Sequence, residues 1–223
     1  DSGNQDNAGI KKNTVQTVDS GIEWLGRIPK HWKVKRLKNF TAKIGSGVTP
    51  KGGSEVYEDF GIPIFRSQNI HFDGLRLDDV AYINEDIHNS MSGSKVEPED
   101  VLLNITGASL GRCFYYDGLL GEANVNQHVC IIRTNKELSY LSLYLFLSSN
   151  SGQSQIFTGQ VGTSREGLTF QDIKNIIFAL PPIEEQIQIA TYLQQRTAAI
   201  DQLIKNIEAQ IEKRKTAPVR RVG

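Results

Sequence analysis

Five short polar clusters hold the side chains in this sequence best suited to reading a nucleic acid. The first places Ser46, Thr49 and Lys51, with Lys43 just upstream, around the stretch Gly45-Ser46-Gly47-Val48-Thr49-Pro50. The second is Arg66, Gln68 and Asn69; the third is Thr106, Ser109 and Arg112. The fourth is Asn124, Asn126 and Gln127, and the fifth is Thr163 with Arg165. Arginine suits the paired acceptors of guanine, and Asn and Gln suit the donor–acceptor pair of adenine, in bidentate major-groove contacts. Hydroxyls, lysines and glycine-loop N–H groups suit phosphate oxygens. Any one cluster is ordinary for a polar loop. Five in one chain point to a DNA-reading surface.

Residues for catalysis are missing. There is no GxxxxGK[ST] phosphate loop, and Gly45, Gly47, Gly52 and Gly53 do not form GxGxxG. The one double proline, Pro181-Pro182, lies between Leu180 and Ile183 and so lacks the flanks of an (Asp/Asn)-Pro-Pro-aromatic amino-methyltransferase motif. Asp172-Ile173-Lys174 matches three letters of a magnesium-nuclease motif. Asp172 also stands three residues after Thr169, which explains it as half of a helix capping box. His31, His71, His88 and His128 are scattered, so no metal site is expected.

Charge must be read locally. The 223 residues carry 25 Lys+Arg and 25 Asp+Glu, which excludes binding to any polyanion through bulk charge. Yet residues 30–51 contain Lys30, Lys33, Lys35, Arg36, Lys38, Lys43 and Lys51 and no acidic residue. Acidic residues gather at 73–79 and 97–100. This segregation would give a neutral protein one phosphate-facing side. Cys113 and Cys130 lie in apolar runs and are expected to be reduced and buried. No run approaches the roughly 18 apolar residues of a membrane span, and the start has no apolar signal region. A cytoplasmic protein is expected.

The elements that must position these clusters follow from periodicity. Residues 1–19 lack apolar spacing and read as a loose tail, with order beginning near Gly21. Short β-type runs at 62–65, 101–105, 112–116, 128–133 and 176–180 are separated by glycine-rich turns. A helix is expected at 138–148, with Leu138, Leu141, Leu145 and Phe146 on one side, and a second beginning at Thr169. The class is α+β: a mixed body over residues 20–180 with much loop. From 181 to 215 the pattern changes to an uninterrupted helix, leaving 216–223 as a tail. From Leu193 its seam runs through Thr197, Ile200, Ile204, Ile207 and Ile211 in steps of 4, 3, 4, 3 and 4, a heptad repeat. A rod of about 50 Å with one narrow apolar seam calls for a partner helix. Leu193, Ile200, Ile204, Ile207 and Ile211 are therefore expected to pair two copies as an antiparallel coiled coil.

Residues 20–32, reading SGIEWLGRIPKHW, resemble the opening of specificity subunits of type I restriction–modification systems. Residues 44–50 resemble that family's early glycine loop, and 163–168 with Asp172 and 180–186 (LPPIEEQ) resemble the close of its target-recognition domain. Residues 200–204 resemble its spacer helix. The resemblance implies a non-catalytic subunit that reads half of a split DNA target and docks methyltransferase subunits and, through them, a restriction subunit. S-adenosylmethionine, ATP and Mg²⁺ would belong to those partners, with no cofactor in this chain. Family members usually carry two recognition domains and two long helices; one of each here resembles a half subunit. Two copies related by a two-fold axis would then read an inverted repeat across a gap set by the rod. The competing reading is a protein–protein adaptor with a dimerising helix and no DNA contact, which leaves the 30–51 basic stretch unused.

Overall fold

The computed structural model describes residues 15–158 and 167–216. Regular structure begins earlier than Gly21: β1 (Thr17–Asp19) pairs antiparallel with β2 (Arg27–Pro29), so part of the expected tail is a strand. β3 (Lys33–Arg36) and β4 (Thr41–Ser46) follow, then β5 (Ile62–Phe65), the small hairpin of β6 (Ile70–His71) and β7 (Gly74–Leu75), and β8 (Ala81–Ile83). After α1 (Glu85–Ser90) come β9 (Lys95–Val96), β10 (Val101–Asn104), β11 (Cys113–Tyr115), β12 (Ala123–Val125) and β13 (Val129–Thr134). The helices α2 (Tyr140–Ser148), α3 (Asn150–Thr158) and α4 (Phe170–Asn175) precede β14 (Ile177–Leu180) and the long α5 (Ile183–Thr216). The architecture is mixed α+β, as expected.

Two four-stranded sheets form the centre, in the orders β11-β10-β13-β4 and β8-β5-β12-β9. Alternation along β10 and β13 explains the stacking. Val101, Leu103, Cys130 and Ile132 face one core with Leu138, Leu143, Leu147, Ile156 and Ile173 of the helical layer. Leu102, Val129 and Ile131 face the other, with Phe65, Val96 and Val125 of the second sheet. Strands covered on both faces read as unbroken apolar runs, which is why these two were legible. In α2 the buried residues are Leu143 and Leu147, with Leu138 buried just before the helix; Leu141 and Leu145 are only half-buried, so the expected apolar side is rotated. Thr169 and Asp172 form the capping box: the Asp172 N–H donates to Thr169 Oγ1 at 3.2 Å, and the Thr169 N–H to Asp172 Oδ2 at 2.8 Å.

Cys113 and Cys130 are free and buried, and burial pushes both thiols up to about 12. Since the thiolate is the reactive form, neither should react with a disulfide reagent at neutral pH until the body unfolds. Thiol titration with and without denaturant checks this; rapid labelling of the native protein would contradict it.

The root of α5 is fixed by one side chain. Buried Gln186 accepts from the Ser139 N–H at 2.8 Å and donates to Glu137 O at 2.8 Å and Pro181 O at 2.9 Å. Ala190 is the last buried residue, and every residue from 191 to 215 is exposed. Among the described residues no helix is long and apolar enough to cross a membrane.

Candidate nucleic-acid interface

Strand register gathers four of the five polar clusters at one end of the two sheets. Ser46, at the end of β4, is opposite Cys130 near the start of β13; Asn104, at the end of β10, is opposite Val129. In the second sheet β5 and β12 run parallel, pairing Phe65 with Val125, so they too finish together. The Asn126 N–H donates to Phe65 O at 3.0 Å. Loops after β4, β5, β10 and β12 therefore emerge side by side, although they are far apart in sequence.

Three of them enclose an open cleft lined by Ser67, Gln68, Thr106, Ser109, Arg112 and His128. Buried Asn104 clamps two of these loops: its Nδ2 donates to Ser67 O at 2.7 Å and Ser109 Oγ at 3.0 Å. Across the cleft, Thr106 Oγ1 lies 2.6 Å from His128 Nδ1, and Gln127 Nε2 lies 3.0 Å from His128 Nε2. Gly167 bridges to Thr106. Thr163 and Arg165 lie outside the described residues.

The glycine loop joins this group by close approach. A Cβ on Gly47 would fall 1.7 Å from Val125 O, so only glycine allows the loop to lie on the Val125–Asn126 backbone beside Gln127. Gly47→Ala is expected to cost about 1–3 kcal/mol through overpacking. Chemical denaturation measures this, and an unchanged midpoint would show that the loop has room to move.

The type I restriction modification DNA specificity domain family matches residues 29–213. The chain belongs to that family. It is 28% identical over 187 residues to the type I restriction enzyme EcoBI specificity subunit of Escherichia coli, covering 81% of this chain and 38% of that one. Among solved structures, it matches a chain from a study of complex assembly and conformational transition of the type I R-M system, with TM-score 0.64 and 21% identity. That match covers 88% of this chain and 46% of the other. The HsdS subunit from Thermoanaerobacter tengcongensis matches with TM-score 0.58 and 21% identity, covering 91% and 43%. The chain spans less than half the length of the curated relatives it matches.

Within this specificity domain, several expected DNA contacts are corrected by burial. Asn69 accepts from the Arg66 N–H at 2.9 Å and donates to Arg76 O and Asp79 O, so it shapes its own loop. Asn124 accepts from His88 Nδ1 at 2.5 Å and donates to Ser94 Oγ at 2.7 Å, inside the second sheet. Asn126 is buried, accepting from the His128 N–H at 3.1 Å. Carboxamides so engaged are not available to base edges. Lys43 is half-buried near Arg133, Asp100 and Glu97, about three residues and roughly 10 Å down β4 from the loops. Burial lowers its pKa.

The charge segregation is also corrected. Arg66 donates to Asp79 O at 2.7 Å and Oδ1 at 3.2 Å, and Gln68 Nε2 bonds Asp79 Oδ2. An acidic residue thus sits among the candidate reading groups. At the other pole, β3 carries Lys33, Lys35 and Arg36 and pairs with β14 near the α5 root. The basic stretch is therefore split between two regions. Thr49 and Lys51 remain exposed, and Ser46 is half-buried, its hydroxyl donating to Gly47 O at 3.1 Å. The opening and closing motifs meet at the helix root, where Glu185 accepts from Trp32 Nε1 at 3.1 Å and lies 2.7 Å from His31 Nε2.

Sequence reasoning missed Asn104 and His128. A lone amide in the run Val101-Leu102-Leu103-Asn104-Ile105 was the available signal for the first. His128 had no local signal, because its partners are placed by sheet register.

Proposed function

We propose that this specificity domain binds one half of a two-part DNA sequence, without catalysis of its own. The observation that supports this best is the convergence of Gln68, Thr106, Ser109, Arg112 and Gln127 on one open end of a rigid body, within a DNA specificity family. Thr49 and Lys51 on the neighbouring glycine loop would hold phosphates, Gln68, Thr106, Ser109, Arg112 and Gln127 would meet base edges, and Arg66, bonded to Asp79, would hold its own loop. Ser46 would serve through its loop. Methyltransferase subunits, and through them a restriction subunit, would act on DNA that this domain selects in the cytoplasm. S-adenosylmethionine, ATP and Mg²⁺ would be theirs.

Two copies would pair through α5. Leu193, Ile200, Ile204, Ile207 and Ile211 are between 38% and 56% exposed, so the seam is open along the rod. The first turn carries Glu184 and Glu185, and the last carries Lys213, Arg214 and Lys215. An antiparallel pair sets these opposite charges beside each other; a parallel pair sets like beside like.

Binding is tested by selection from a random duplex library, followed by titration against salt. Affinity should fall by several orders of magnitude between 50 and 200 mM salt if about six or more phosphates are contacted. Arg112→Ala should cost about 1–3 kcal/mol, at one base position if the arginine reads a base and uniformly if it holds phosphate. Enrichment of no sequence would favour an adaptor that does not touch DNA.

A further inference from the structure

Asn104 ends β10 as the only polar residue of the run Val101-Leu102-Leu103-Asn104-Ile105, and it is fully buried. We infer that Asn104 is a positioning residue that holds the Ser109 hydroxyl as a hydrogen-bond donor towards the cleft, and that Ser109 gives this proton to an acceptor on DNA. This rests on the DNA-reading function proposed above.

The direction of each bond follows from the atoms involved. A backbone carbonyl oxygen only accepts, so the group of Asn104 that meets Ser67 O at 2.7 Å is its NH₂. That contact fixes which way the carboxamide faces. The same Nδ2 lies 3.0 Å from Ser109 Oγ, and an amide nitrogen only donates. Ser109 Oγ is therefore the acceptor in that bond, and its own proton must lie away from Asn104. Among the described residues no protein atom accepts that proton. Ser109 is half-buried and lines the open cleft with Arg112, so the cleft is where its proton meets a partner.

Backbone bonds hold the turn around this hydroxyl. The Asn104 N–H donates to Arg112 O at 2.8 Å, and Asn104 O accepts from the Gly111 N–H at 2.9 Å. Within the turn, the Arg112 N–H donates to Ser109 O at 3.1 Å. These bonds do not involve the side chain of residue 104, so a substitution there acts on Ser109 and Ser67 first. The side chain also leaves its Oδ1 buried with no partner among the described residues. An unpartnered buried carbonyl lowers stability, and an apolar side chain would avoid that loss. An apolar side chain could not donate to Ser109. A hydroxyl donor on the cleft wall meets a phosphate oxygen or an acceptor on a base edge, such as N7 of a purine or O4 of thymine.

The test uses the full 223-residue chain and the duplex it selects from a random-sequence library. Ser109→Ala should weaken binding by about fivefold or more, since a DNA acceptor loses its donor. A loss confined to one base position identifies a base acceptor, and an equal loss on every duplex identifies a phosphate; either supports the donor role. Asn104→Leu removes the donation, and Asn104→Asp replaces it with an acceptor that turns the hydroxyl inward. Thermal melting shows which of these variants is folded. In a folded Asn104 variant affinity should fall by a similar factor, and adding Ser109→Ala should then change it by less than about twofold, while Arg112→Ala keeps its full effect. A reading without any change at 104 comes from the side-chain amide resonances of Asn104, which should shift in Ser109→Ala and when DNA is added to the wild type. Ser109→Ala binding as tightly as wild type overturns the contact. A full second loss on adding Ser109→Ala to a folded Asn104 variant, or Asn104 resonances unmoved in both comparisons, overturns the positioning role while DNA reading survives. A wild type that enriches no motif overturns DNA reading and this proposal with it.

Discussion

Replacing Ile204 and Ile207 together with aspartate should convert a two-copy assembly into single copies and weaken binding to DNA carrying both half-sites by about 100-fold or more. The size follows from two effects. Each isoleucine buried in a helix pair contributes about 1.5–3 kcal/mol, and two positions in two copies make four such side chains. Carboxylates in their place would bring unpaired charge into the seam as well. Loss of pairing then removes the intramolecular second binding event, which typically raises affinity by 10² to 10⁴. Affinity for a single half-site should be unchanged, because the seam begins beyond the last buried residue of the helix, Ala190. Sedimentation equilibrium and binding to one-site and two-site duplexes check both parts. A wild-type chain that stays single at tens of micromolar, or a variant that pairs as well as wild type, defeats the geometry.

Asp100→Ala should cost about 3–5 kcal/mol, enough to unfold much of a marginally stable body. Asp100 is fully buried and takes two bonds from Arg133, Nε to Oδ1 and Nη2 to Oδ2, each 2.8 Å. It also accepts from the Glu97 N–H at 2.7 Å, closing the turn before β10. Arg133 is bonded to Glu97 as well. The alanine leaves the guanidinium without its buried partner and Lys43 facing an unbalanced positive charge. Adding Arg133→Met should restore a substantial part of the loss, since a buried pair replaced on both sides is often close to neutral. Urea denaturation of the single and double variants measures this. A single variant within 1 kcal/mol of wild type would show that the pair carries little.

The parts of the fold visible in the sequence are those under the strongest local constraint. β5, β10 and β13 match the expected runs to within a residue or so because strands covered on both faces must be largely apolar, whereas β14, buried only at alternate residues, matches because all four of its residues are apolar. The α5 helix was legible because no Gly or Pro interrupts it and its seam keeps strict period. α1 and α3 were missed: α1 is six mostly polar residues, and α3 reads Asn-Ser-Gly-Gln-Ser-Gln-Ile-Phe-Thr, with Ile156 its only deeply buried large side chain. β4 lies within the basic stretch and β12 within a polar cluster, and each is fixed by its neighbours in the sheet and not by its own pattern. The same cause explains the mixed result for the interface. Loop composition picked out Gln68, Thr106, Ser109, Arg112 and Gln127, which the fold brings to one end of the two sheets. It could not separate an amide facing outward from Asn69, Asn124 or Asn126, whose partners are brought in by tertiary structure.

The Gln186 joint sets the accuracy of everything at the far end of α5. Thirty-four residues make a lever of about 51 Å, so a tilt of ten degrees at the root would carry the tip sideways by about 9 Å. That displacement exceeds two base-pair steps of duplex DNA, each about 3.4 Å. In the proposed two-copy assembly, loosening a single buried carboxamide would therefore blur the spacing between two bound half-sites while leaving each site's own affinity intact.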